Sequence, residues 1–114
     1  MGDDDDRHIN LSGRWIGRDP EGIGSATLHQ DGNRITGDGT GGSVHPTLTL
    51  KCELEGQGRR YVGKYTNVEG VAVGRGRIEI DVIDPHTIEM AWDGDWTGGG
   101  SGGHTEGRTK MHRQ

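Results

Sequence analysis

The chain has 114 residues, of which 23 are glycine and none is phenylalanine. This length fits one domain, and the lean apolar content predicts a fold that gains from subunit contacts or from a closed barrel without sheet edges. The formal net charge of −5 at pH 7 argues against nucleic acid as a partner, because phosphate binding needs a basic face. The apolar runs are too short for a membrane span or a secretory signal, so we expect a cytoplasmic protein with no membrane partner.

The first eight residues differ in character from the rest of the chain. They include four consecutive aspartates, Asp3 to Asp6, which repel one another and are typical of a disordered acidic tail or of a tag remnant. Divalent-ion binding is the alternative, but the run has no rigid frame to hold an ion. We therefore set residues 1–8 apart and expect residues 9–114 to form a single domain.

Strand signals recur at short intervals along residues 9–114, and no window shows the apolar spacing of an amphipathic helix. The stretch GSATLHQ leads into Asp-Gly, which is a strong hairpin signal. Alternation is clearest in HPTLTLKCELE, where three leucines and Cys52 share one face. The predicted strands are residues 12–18, 24–30, 33–39, 45–55, 59–67, 71–83, 86–93 and 104–113.

Glycine predicts two irregularities in these strands. Within residues 71–83 the apolar positions change parity between Val73 and Ile78, which predicts a β-bulge near Gly74 to Gly76. The run GGGSGG, residues 98–103, predicts a mobile loop before the last strand.

Eight strands joined by short hairpins form a meander, which cannot bury an apolar face while it stays flat. The predicted fold class is therefore all-β, an eight-stranded antiparallel up-and-down barrel. Glycines inside the strands would supply the coiling that a small barrel needs. Trp15, with glycines two positions before and after it, has space to lie across a barrel end. Cys52 is expected to be a small buried hydrophobe rather than a nucleophile.

Short motifs near both ends of the chain carry a resemblance. Gly13-x-Trp15 opens the first predicted strand within LSGRW, and NRITG opens the third, while IEMAW, GDWTG and GHTEGRTKM lie near the end. These stretches resemble the Gly-x-Trp signature and the first and closing strands of the calycin group, the lipocalins and avidins. The resemblance spans residues 11–112 and implies an eight-stranded, calycin-like barrel. It also implies a structural pair between Trp15 and an arginine of the last strand, for which Arg113 has the right parity.

The polar residues that hold biotin in avidin-type proteins are missing here. In those proteins polar residues follow the first Trp, and an Asp follows the His of the last strand. This chain has Ile16, Gly17 and Arg18 in the first stretch, and Thr105 follows His104. The resemblance therefore implies the barrel without implying biotin binding.

Two other motifs and the histidines resemble ligand-binding features but lack a part that such sites require. GDGTGG, residues 37–42, matches a dinucleotide motif, but no helix follows it. DGDWTGGGSGGH, residues 93–104, begins like a calcium loop but ends in His104 where a carboxylate is needed. The histidines never fall at a close metal-ligand spacing. We expect no metal, no cofactor and no catalytic residue.

The aromatic residues are the best candidates for binding, because planar ligands stack on them in apolar pockets. The alternative is that they fill the core of a chain that has few other bulky residues. The candidate ligand-binding residues are Trp15, Tyr61, Tyr65, Met90, Trp92 and Trp96.

The leading functional hypothesis is a non-catalytic binding protein for a small, partly apolar molecule held in the barrel. One alternative is a small barrel enzyme of isomerase or cyclase type, in which an inward-facing Glu89 or His86 moves a proton. Another alternative is an oligomeric scaffold with a filled barrel and no ligand. We also expect a homo-oligomer, because subunit contacts would add burial to a lean chain.

Overall fold

The computed structural model describes residues 9–114, so the predicted acidic tail lies outside the described residues. Eight strands follow one another in this range, and it contains no helix. Their bounds are β1 Gly13–Gly17, β2 Ile23–Asp31, β3 Arg34–Gly41, β4 Thr49–Gln57, β5 Arg60–Glu69, β6 Ala72–Asp84, β7 Thr87–Gly98 and β8 Ser101–Arg113.

The eight strands form a closed antiparallel barrel, which confirms the predicted fold class. Each strand pairs with the next, and β8 returns to pair with β1. In such a meander successive turns alternate between the two ends of the barrel. We call the end with the β1–β2, β3–β4, β5–β6 and β7–β8 connections the mouth, and the opposite end the base. In the part of the chain that the structure describes, no helix is long and apolar enough to cross a membrane.

Alternate residues of the strands point inward and form one core. In β4 the inward residues Leu50, Cys52 and Leu54 are at most 6% exposed. Burial, with added repulsion from Asp38 and Glu53, raises the pKa of the Cys52 thiol to about 11. The thiol therefore stays protonated at neutral pH and packs as a small hydrophobe, as the alternation predicts.

The β-bulge predicted near Gly74 to Gly76 is wrong. The pairing of β5 with β6 runs without a break through this stretch, and the register shift of β6 lies between Val82 and Asp84. Val73 is 51% exposed on the outer face, while Ile78 is fully buried. The apparent change of parity arose because outward valines were taken for core residues.

The predicted loop over residues 98–103 is also wrong. β7 continues to Gly98 and β8 begins at Ser101, which leaves Gly99 and Gly100 as the turn. Both glycines have positive φ, 60° and 84°, in the region that favours glycine in tight hairpins. The glycine-rich run therefore joins two long paired strands.

Trp15 closes the base of the barrel. Its side chain is fully buried, and its Nε1 donates a 2.9 Å hydrogen bond to the carbonyl oxygen of Leu11. The guanidinium of Arg113 lies 4.4 Å from the centroid of the Trp15 ring system. The same guanidinium donates to the carbonyls of Ser12 at 3.0 Å and Asn10 at 2.7 Å. The Trp–Arg pair implied by the calycin resemblance is thus present, and it ties the last strand to the segment before β1.

A second set of hydrogen bonds fixes this segment from the other side. The backbone N–H of Leu11 donates to Oε1 of Gln30 at 2.8 Å, and Nε2 of Gln30 donates to the hydroxyl of Tyr61 at 2.9 Å. A buried backbone N–H needs a hydrogen-bond partner. The bond to Gln30 supplies one for Leu11, whose side chain can therefore be fully buried at the base of the barrel.

Arg113→Lys should lower the free energy of unfolding by about 2 kcal/mol, because an ammonium cannot hold several carbonyls while it stacks on the indole. Urea denaturation measures the change. Arg14→Lys is the matched control at an exposed site beside Trp15, with an expected change below about 0.5 kcal/mol. Equal losses for the two variants would contradict a specific role for Arg113.

Candidate functional site

A cavity opens at the mouth of the barrel. Its volume is about 410 Å³, within the usual range of small-molecule sites, roughly 300–1,000 Å³. Strand β2 and strands β4 to β8 contribute to its wall, together with the β1–β2 and β3–β4 connections. The aromatic and aliphatic lining residues are Ile23, Leu48, Leu50, Tyr65, Ala72, Ile78, Trp92 and Trp96.

Glycines opposite the two tryptophans leave room for this space. Trp92 pairs with Gly107 across β7 and β8, and a Cβ at Gly107 would stand 2.6 Å from the indole. Trp96 pairs with Gly103, where a Cβ would stand 3.0 Å from the indole nitrogen. Each indole therefore packs against the barrel wall over a residue without a side chain. The centre of the mouth stays open as a result.

The hydroxyl of Tyr65 is buried beside the cavity without a partner. Tyr65 is 2% exposed, and its oxygen would lie 2.5 Å from a Cβ at Gly94. No hydrogen-bond partner for this oxygen occurs among the described residues. Burial, with added repulsion from Asp93 and Asp95, raises the pKa of the phenol. The group therefore stays protonated at neutral pH and keeps both donor and acceptor capacity for a ligand.

Polar side chains gather at the rim of the cavity. Nδ1 of His45 lies 3.2 and 3.1 Å from the two carboxylate oxygens of Glu69, which joins the β3–β4 loop to the end of β5. The loop is also held by the backbone, because the N–H of Val44 donates to the carbonyl of Pro20 at 2.9 Å. These bonds form the rim without any ligand. The polar lining residues are Glu21, His45, Asn67, Glu69 and Thr105, and Glu106 borders the cavity from the outer face of β8.

The six candidate binding residues divide between the cavity and the rest of the core. Trp15 closes the base, the Tyr61 hydroxyl is bonded there, and Met90 is fully buried in the core. These three do not line the cavity. The candidates that line it are Tyr65, Trp92 and Trp96.

Sequence reasoning missed the polar part of the lining. Asn67 and Glu69 continue the inward parity of Tyr65, because β5 extends to Glu69 and does not end at residue 67. Following the alternation two residues further would have found Glu69. Glu21 and His45 lie in connections, where no periodicity indicates the direction of a side chain.

The acid–base residues of the enzyme alternative lie outside the barrel. Glu89 is on the outer face of β7, where its Oε1 accepts a 3.0 Å hydrogen bond from Arg108. His86 is exposed in the turn between β6 and β7. Neither residue lines the cavity. The two proton-transfer residues that the isomerase or cyclase alternative required therefore do not face the interior.

A second cluster of polar side chains lies on the outer face of β7 and β8. Nε2 of His104 is 3.0 Å from Asp93 and 3.8 Å from Glu106, and its Nδ1 is 3.0 Å from Asp95. One atom each from Asp93, His104 and Glu106 lie within 4.8 Å of one another, so these residues could hold a metal ion. The cluster is exposed and built on paired strands, so residues 93–104 do not form a calcium loop.

Comparisons of the chain with protein-family models, with curated proteins and with solved structures gave no match. The geometry of the cavity and the chemistry of its lining therefore carry the functional conclusion.

Tyr65→Phe should leave the free energy of unfolding of the unliganded protein unchanged or raise it by about 1 kcal/mol, because it removes a buried hydroxyl without a partner. Tyr61→Phe should lower it by about 1 kcal/mol, since the Tyr61 oxygen accepts a hydrogen bond from Gln30. Chemical denaturation of both variants tests the contrast. A greater loss for Tyr65→Phe would show that its hydroxyl has a partner.

The pKa of His104 is raised from the ordinary 6.5, chiefly by its hydrogen bond to Asp95 and further by the charges of Asp93, Asp95 and Glu106. The stabilisation linked to this rise is complete below the ordinary imidazole pKa and is lost as the pH increases through the raised value. Asp95→Asn should lower the pKa of His104 in an NMR titration. Asp31→Asn, in a distant hairpin, should leave it unchanged, and equal shifts would contradict the local cause.

Proposed function

We propose that this protein is a non-catalytic binding protein that holds a small, partly apolar molecule in the mouth of its barrel. The observation that carries the proposal is a cavity of about 410 Å³ lined by two indoles and a phenol. Its aromatic wall would supply apolar burial, and a few polar atoms would orient the ligand. The unpartnered hydroxyl of Tyr65 is the first of these polar atoms.

The open mouth favours this proposal over a filled scaffold. A scaffold needs its barrel interior packed throughout, as it is around Trp15, whereas the space beside Trp92 and Trp96 is unfilled. The rim is already held by the bond between His45 and Glu69. A ligand would therefore bind without the cost of ordering the loop.

A relationship to the calycin barrels is part of the proposal. It is supported by the Gly13-x-Trp15 motif, by the closed meander and by Arg113 over the Trp15 ring. Biotin is not the ligand proposed, because the polar residues that hold it in avidin-type proteins are replaced here.

We also propose that copies of this chain associate with one another. Val68 and Val73 are paired on the outer face of β5 and β6 and are 45% and 51% exposed, and Val71 in the adjoining turn is 78% exposed. This small apolar patch supports contact between copies of the chain.

Binding of the neutral fluorophore N-phenyl-1-naphthylamine tests the proposed function. Its fluorescence should rise and saturate at one probe per chain, because the cavity excludes water from the dye. Ala72→Phe places a ring in the cavity and should weaken binding at least about tenfold. Val73→Phe places the same ring on the outer face of the same strand and should not change it. A non-saturating signal, or equal effects of the two variants, would overturn the proposal.

A further inference from the structure

We infer that the molecule bound in this cavity is a small organic cation, an amine or quaternary ammonium with an apolar body. The inference rests on the proposed function and adds the charge of the ligand. Three features of the mouth support it: its acidic lining residues, its aromatic wall and the buried hydroxyl of Tyr65 that has no hydrogen-bond partner in the described part of the chain.

The charged lining of the cavity is acidic. Glu21 and Glu69 line it, Glu106 borders it with a side chain on the outer face of β8, and among residues 9–114 no lysine or arginine lines it. The imidazole in the lining, His45, is bonded to Glu69. An anion entering this mouth would lose hydration and meet carboxylates, whereas a cation would exchange its hydration for their attraction.

Glu69 is the carboxylate best placed to act on a bound cation. It points inward from the end of β5, its side chain is 33% exposed, and His45 fixes its position. Because a partly buried charge is screened less than a surface charge, its attraction for a ligand in the cavity exceeds that of the exposed Glu21.

The aromatic wall provides the second feature. Trp92, Trp96 and Tyr65 present rings to the cavity, and the faces of such rings attract cations, with tryptophan the strongest. The same protein already uses this interaction at the base, where the guanidinium of Arg113 lies 4.4 Å from the centroid of the Trp15 ring system. In the described part of the chain, Arg113 supplies a cation at the base, and no lysine or arginine lines the wall of the mouth.

The third feature is the buried oxygen of Tyr65. No partner for it occurs in the described part of the chain, and its lone pairs could accept a hydrogen bond from a ligand ammonium. Burial is the main cause of the raised pKa of this phenol, and the nearby negative charges of Asp93 and Asp95 add to it. Two carboxylates close to the hydroxyl favour a cation beside it and disfavour an anion.

A pair of probes with the same shape and different charge tests the inference. Phenyltrimethylammonium and tert-butylbenzene differ by a cationic nitrogen in place of a carbon, and benzenesulfonate supplies the opposite charge. Their binding to the full chain is measured by isothermal titration calorimetry. Phenyltrimethylammonium should bind at least about tenfold more tightly than tert-butylbenzene, and benzenesulfonate should show no saturable binding.

Charge-removing variants locate the effect. Glu69→Gln keeps an acceptor for His45 and should weaken phenyltrimethylammonium about three- to tenfold while leaving tert-butylbenzene unchanged. Glu53→Gln removes the same charge from the exposed face of β4 and should change neither probe. Urea midpoints within error of the parent chain show that both variants are folded.

The outcomes separate the two proposals. If tert-butylbenzene binds as tightly as phenyltrimethylammonium, or if benzenesulfonate binds best, the cation inference is overturned while the binding function stands. If Glu69→Gln and Glu53→Gln weaken the cation equally, the charge preference does not come from the cavity, and the inference fails. If none of these probes and no N-phenyl-1-naphthylamine binds, both proposals fail.

Discussion

Closure of the barrel depends on a short seam between its first and last strands. β1 and β8 share three residue pairs, whereas β7 and β8 share twelve. A ladder this short leaves little backbone bonding to keep the edges together. Arg113 adds to it by stacking on Trp15 and by donating to carbonyls of the segment before β1. The cation and the indole thus complete a cylinder in which strands β2 to β8 are joined by longer pairings.

The closed cylinder gives its two ends different interiors. The chain has three tryptophans and two tyrosines, too few to fill a barrel from end to end. Trp15 and Tyr61 are used at the base, where Leu11 is inserted as a plug. The other three aromatics stand at the mouth against strands rich in glycine, and the space that remains is the cavity. A packed base and an open mouth therefore follow from how a small set of large side chains is distributed.

Local patterns in the sequence were enough to predict the barrel. Alternation in β4 and the Asp31-Gly32 turn each depend on neighbours along the chain, so strand positions and fold class could be read from them. Val71 and Val73 led to the wrong prediction of a bulge, because the sequence alone does not distinguish an exposed valine from a buried one.

The mouth of the barrel was harder to predict because it depends on contacts between strands. That Trp92 faces Gly107 is set by the register of β7 with β8, which no single strand encodes. Tyr65, Trp92 and Trp96 were found as candidates because planar ligands stack on aromatic side chains, which is a property of the residue type alone. The bond between His45 and Glu69 joins a loop to a strand end, and its partners are 24 positions apart in the sequence.

The glycines beneath the indoles make the shape of the cavity adjustable from positions that a ligand need not touch. A methyl group at Gly107 would collide with Trp92, and one at Gly103 would crowd Trp96. Either aromatic side chain would have to move away from the wall to admit it. A single added carbon could therefore reshape the mouth while Trp15 and Arg113 keep the base closed. Evolution could therefore change the shape of the cavity through these glycines while the rest of the barrel is left intact.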